Sequence, residues 1–93
     1  MREIRRSTAF KRDYKREKRG PHGKELEGRL RGVVTSLAED RPLQPSFSDH
    51  PLSGAWSGYR DCHVWPDLVL IYAKPDKKSL DLVRLGSHSE LFG

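Results

Sequence analysis

The sequence predicts a small α+β domain with its helices first and its sheet last, and three observations carry that reading. A stripe of apolar residues at helical spacing occupies the first half of the chain, and strand-length runs separated by turn residues occupy the second. The longest apolar run, LVLIY at Leu68–Tyr72, is short enough for a strand and too continuous for one that faces water on either side. With 93 residues and 34% hydrophobic content, the chain supports one domain over residues 1–93 with a modest core.

The elements follow in order. Residues 2–6, REIRR, read as a short strand. Ser7 or Thr8 caps a helix from Ala9 to about Arg19, with Phe10 and Tyr14 one turn apart on one face, until Gly20 and Pro21 stop it. A second helix runs from about Lys24 to Glu39, because Leu26, Leu30, Val33, Val34 and Leu37 fall on one stripe; Gly28 and Gly32 weaken it, so packing must hold it. Arg41 to Gly54, rich in Pro and Ser, is a long loop and a functional candidate. Strands are expected at Ala55–His63, Leu68–Ala73 and Ser79–Leu85, the last two joined by a Pro75-Asp76 turn and the middle one central. The tail SHSELFG reads as one helical turn capped by Ser87, with Glu90 three residues on.

Charge is unevenly spread. Residues 1–31 hold 12 Lys+Arg against 5 Asp+Glu, net +7, and residues 32–93 hold 6 against 8, net −2. A basic first helix bearing Lys11, Arg12, Lys15, Arg16, Lys18 and Arg19 is the footprint of a nucleic-acid binder, because cations displace phosphate counterions; its structural alternative is a solvated helix face. No run approaches the roughly 18 apolar residues of a membrane span, and MREIRRSTAF has no apolar signal segment, so the expected setting is the cytoplasm, without a membrane partner. A single cysteine makes no internal disulfide and no paired-cysteine zinc spacing.

The chemistry gathers just outside the strands: His50 in the long loop, His63 and Asp67 around Pro66, His88 after the last strand, and Phe92 near the end. Three imidazoles and a carboxylate supply what RNA cleavage by the ribose 2′-hydroxyl needs, namely a base, an acid for the leaving 5′-oxygen and cations for the phosphorane. Each residue also has a structural reading. His22 in GPHGKE and His50 alone read as surface histidines, Asp67 as a turn terminator, Cys62 as a small packed residue, and Trp56, Tyr59 and Trp65 as packing aromatics. Three His and one Asp are also plausible zinc ligands, although their wide spacing matches no compact ligand motif.

In combination these residues resemble the YafQ-like branch of the RelE superfamily, ribosome-dependent messenger endonucleases of type II toxin-antitoxin modules. DHPLSGAWSGYRDCHVWPDLVLIY, Asp49–Tyr72, is similar to that branch's DHxLxGxWxGxRDCHxxPDxxLIY pattern, and LVRLGSHSELF, Leu82–Phe92, to its closing RxGxHSxLF; STAFKRDYKREKRG resembles its basic first helix. The resemblance implies a RelE-like fold: an N-terminal strand and two helices packed on a twisted, mainly antiparallel sheet. It carries the family's functional positions onto His50, His63, Asp67, His88 and Phe92. The roles expected are His88 as general acid, Asp67 or His50 as base, His63 as phosphate stabiliser and Phe92 as a base-stacking surface, with no cofactor or metal. The partners implied are the ribosome and messenger and an acidic antitoxin of the DinJ type. Pro51 after His50, and Trp65 beside the site, depart from the pattern. Two other classes stay open: a non-catalytic RNA-binding or repressor module, and a metal-dependent hydrolase on the same histidines.

Overall fold

The computed structural model describes all of residues 1–93 and follows the expected order of elements. They are β1 (Glu3–Arg6), α1 (Thr8–Lys18), α2 (Gly23–Ala38), β2 (His50–Pro51), β3 (Arg60–Trp65), β4 (Leu68–Ala73), β5 (Ser79–Gly86) and α3 (His88–Phe92), with 3-10 turns at Pro45–Phe47 and Gly54–Trp56. One sheet runs β1-β5-β4-β3-β2; β1 lies parallel to β5 and every other pairing is antiparallel.

Ser7 caps α1. Its Oγ accepts from the Phe10 N–H at 2.9 Å and donates to the Val83 carbonyl at 2.7 Å, so the same hydroxyl starts the helix and ties it to β5. The turn into α2 passes so close to the end of α1 that a Cβ on Gly23 would sit 2.1 Å from the Lys18 carbonyl oxygen, leaving glycine as the only residue that fits. All five residues of the α2 stripe are buried, while Gly28 and Gly32 face outward; packing holds this helix despite them.

Alternation along the strands divides the sheet into two unlike faces. Cys62, Val64, Leu68, Leu70, Tyr72, Leu80, Leu82 and Leu85 join Phe10, the α2 stripe and Ala38 in a core of 15 buried residues under the helices. Each fully buried leucine or valine there contributes about 1.5–3 kcal/mol, so this face holds the domain together. The opposite face has only Val69, Ile71 and Leu91 fully packed, ringed by Leu52, Trp56, Tyr59, Val83 and Phe92. β4 is buried at all six positions because it is central and covered on both sides, as its continuous apolar run predicts.

One strand differs from expectation. β3 starts at Arg60, not Ala55, because Gly54–Trp56 coils into a 3-10 turn and Gly58 adopts φ +93°, a left-handed conformation that breaks an extended run. The long loop is likewise not bare: it contains a 3-10 turn and the two-residue β2. α3 forms at the expected place on a complete capping box, with the Ser87 Oγ accepting from the Glu90 N–H and the Glu90 carboxylate accepting from the Ser87 N–H. No helix is long and apolar enough to cross a membrane.

Candidate active site

Since Cys62 and Val64 turn into the helix-side core, Asp61 and His63 turn to the open face. The Cys62 thiol is fully buried, and burial pushes its pKa up to about 12, which leaves it a packing residue and no nucleophile. β2 places His50 directly opposite Asp61. Asp49 fixes that placement: it accepts from the Tyr72 hydroxyl at 2.5 Å and from Arg60 Nε at 3.3 Å, pinning the long loop to β4 and β3 one residue before His50. Burial, then the bond to Asp49, raise the Tyr72 phenol, so it stays a donor.

His63 pairs with Val69 and Val69 with Gly86, so β5 leaves the sheet in the row of His63 and α3 opens there with His88. The His88 ring lies 4.7 Å from that of Phe92. Phe92 packs edge-on to Trp56 at 6.3 Å, which gives this aromatic a structural task besides any stacking on a base. Asp61 is 1% exposed, with His50 Nε2 3.1 Å from its Oδ1 and with His63 and His88 near enough for their charges to act on it. Burial raises the Asp61 carboxyl above the ordinary range, and the charges of His50, His63 and His88 partly offset it.

Asp67 follows in the turn after β3. It sits exposed in the β3–β4 turn, where its Oδ1 is 2.8 Å from His22 Nε2, and this bond, more than the nearby imidazole charge, lowers its carboxyl. His22, which reads from sequence as an idle surface residue, is therefore engaged with a candidate site residue. It also stacks on Trp65 at 4.1 Å between ring centres, and the Arg29 guanidinium lies 5.0 Å from Trp65 and 5.5 Å from Phe47. The basic residues of α1 and its cap, Lys11, Arg12, Lys15, Arg16, Lys18 and Arg19, are all exposed, but Arg16 is engaged within the fold, since it contacts Asp13, Glu17 and Glu90 and donates to the Leu85 carbonyl. Between α1 and α2 lies a groove of about 530 Å³ with an apolar floor including Ile4, Phe10, Tyr14 and Val34 and a mainly basic rim including Arg6, Lys11, Lys15 and Arg31, the last paired with Glu27.

Asp61 is the member of the histidine cluster that sequence reasoning missed, although the two-residue period counted back from His63 places it on the same face. Asp49 was missed because nothing local predicts that Tyr72, 23 residues away, would hold it. No group of three or more His, Cys, Asp or Glu side chains is arranged to hold a metal ion.

A profile of the family described as "Bacterial toxin of type II toxin-antitoxin system, YafQ" matches residues 2–93. The chain belongs to the YafQ family of bacterial toxins. Over 66 residues it is 47% identical to the mRNA interferase toxin YafQ of Escherichia coli, covering 70% of this chain and 71% of that one. The crystal structure of the Escherichia coli DinJ-YafQ complex superposes with a TM-score of 0.84 at 39% identity over the whole of both chains. That of a metal-bound toxin from Helicobacter pylori does so with a TM-score of 0.87 at 44% identity, covering 99% of this chain and 100% of that one. These likenesses bear out the small RelE-like α+β fold expected of a YafQ relative.

Proposed function

We propose that this protein is an mRNA interferase that cuts messenger on the ribosome by metal-independent attack of the ribose 2′-hydroxyl, and that it acts in the cytoplasm. The observation that carries the reading is the buried Asp61 with His50 3.1 Å from it and His63 and His88 near enough to act on its charge, a grouping that suits proton transfer and phosphate stabilisation. In this reaction His88 protonates the departing 5′-oxygen, Asp67 or His50 receives the 2′-hydroxyl proton, His63 stabilises the phosphorane and Phe92 stacks on a base. The exposed cations of α1 grip ribosomal RNA, and the ribosome supplies the stretched messenger.

Kinship to a toxin solved together with DinJ supports an acidic antitoxin of that type for this chain. The cation-rimmed groove between α1 and α2 suits an acidic amphipathic segment of such a partner.

The deciding experiment is induced expression followed by mapping of messenger 5′ ends. In-frame cuts within translated regions are expected. High-level expression alone, without growth arrest or an acquired mutation, would overturn the toxin reading. Because a structural relative binds metal, cleavage should also be assayed with chelator: unchanged activity is expected, and abolition together with one metal ion per chain would sink metal independence.

A further inference from the structure

Asp61 Oδ1 is the only buried side-chain oxygen or nitrogen without a hydrogen-bond partner. An orphaned buried carboxylate oxygen is costly and calls for a compensating charge. What faces it is His50, whose Nε2 lies 3.1 Å away, close enough for an ion pair though not aligned as a hydrogen bond. The other nitrogen of that ring is already committed, since Nδ1 lies 2.7 Å from the Ser48 carbonyl oxygen. A carbonyl only accepts, so Nδ1 carries a hydrogen, and a neutral ring would present its lone pair to Asp61. Two acceptors at 3.1 Å, one of them cut off from water, repel each other. A proton on Nε2 turns the contact into an attraction between opposite charges.

We infer that Asp61 is a positioning residue: together with the Ser48 carbonyl it engages His50 at both nitrogens and keeps the ring protonated, so that His50 meets the phosphate as a fixed cation and His63 takes the base role. This rests on the proposed RNA cleavage and exchanges the roles of two histidines within it. The other groups that face Asp61 are His63 on β3 and His88 on α3, which favour its charged form, and Asp49, which opposes it. Hydrogen bonds hold His22 and His50, whereas the rings of His63 and His88 have none and are open to exchange protons with substrate.

The test has two arms. In protein labelled with 15N-histidine by cell-free synthesis, nitrogen spectra at pH 7 should show both nitrogens of His50 bearing protons. In Asp61→Asn, which keeps the size of the side chain and removes its charge, Nε2 should lose its proton while the rest of the spectrum shows an intact fold. A bare Nε2 in the parent overturns the inference whatever the enzyme does. In the cleavage arm, His50→Ala should lower the rate by about 10²–10³-fold at every pH, the loss of a stabilising charge. His63→Ala should instead abolish the acid limb of the pH profile. If His50→Ala abolishes that limb and His63→Ala leaves it, the exchange of roles is wrong. A parent that cleaves no translated messenger overturns the proposed function, while the nitrogen spectra still decide by themselves whether Asp61 keeps His50 protonated.

Discussion

Two aspartates are sunk into this small sheet, one under the helices and one on the open face, and they are built in opposite ways. Asp13, 4% exposed, accepts from Arg84 Nε at 2.7 Å, from the Leu85 N–H at 2.9 Å and from Arg16 at 3.1 Å. Burial by itself would raise its carboxyl, but the Arg84 and Leu85 hydrogen bonds and the two guanidinium charges outweigh that and lower it. Asp61, 1% exposed, has an oxygen with no hydrogen bond and three imidazoles nearby, and its carboxyl is raised. One buried charge is fully partnered and welds α1 to β5. The other is left under-partnered where groups that gain and lose protons gather, which is how a site differs from a staple.

If the open face carries chemistry and little stability, removing its acid should separate the two. His88→Ala is expected to lower cleavage of translated messenger by about 10²-fold or more. The melting temperature should hardly move, because His88 is exposed and lies outside both apolar clusters. Parent-rate cleavage by this variant would remove His88 from the mechanism.

The helix face should behave in reverse. Asp13→Ala leaves Arg84 and the Leu85 N–H without their acceptor and removes one of Arg16's, and unfolding in denaturant should show a loss of about 2–3 kcal/mol. Whatever cleavage activity the folded variant retains should match the parent's. A loss below about 0.5 kcal/mol would mean that this network is ornament and that apolar packing alone fixes α1.

The contrast between the faces also explains what could be read in advance. The α2 stripe, the central LVLIY strand and the Ser87 cap were legible because each rests on local periodicity or on residues three apart. The histidines were legible as residue types whose chemistry is scarce elsewhere in the chain. Pairings that span the chain were not: Asp13 to Arg84, Asp49 to Tyr72 and His22 to Asp67 join residues 71, 23 and 45 apart. Arg16 shows the cost of counting charge without partners, since among the cations of α1 it is bound up with Asp13, Glu17 and Glu90.

That residue sharpens the comparison within α1. Reversing Lys11, Lys15 and Lys18 should weaken ribosome pelleting, with the slope of log affinity against log salt falling by about one for each phosphate no longer neutralised, while the fold stays intact. Arg16→Ala should lower stability and leave the salt slope almost unchanged. Equal pelleting of the triple variant and the parent at two salt concentrations would remove α1 from docking.

The smallest expected effect is the most diagnostic of the two aspartates, because it is a difference in sign. The folded pKa of Asp13 is lowered, so its contribution to stability is present above the ordinary carboxylate value of about 4 and fades as pH falls through the lower folded value. The destabilisation by Asp13→Asn should therefore be largest near neutrality and close up in acid. The folded pKa of Asp61 is raised, so its contribution is full below about 4 and is lost as pH rises through the higher folded value. Asp61→Asn should match the parent in acid, where both side chains are neutral. It should become the more stable of the two toward neutral pH, by roughly 0.5–1 kcal/mol, the scale of a modest single substitution. Denaturant unfolding of the parent and both variants across about pH 3–8 spans the carboxylate range and reads both signs at once. Parallel curves for the two variants would mean that Asp61 is as well partnered in solution as Asp13, and that the open face holds no under-partnered carboxylate.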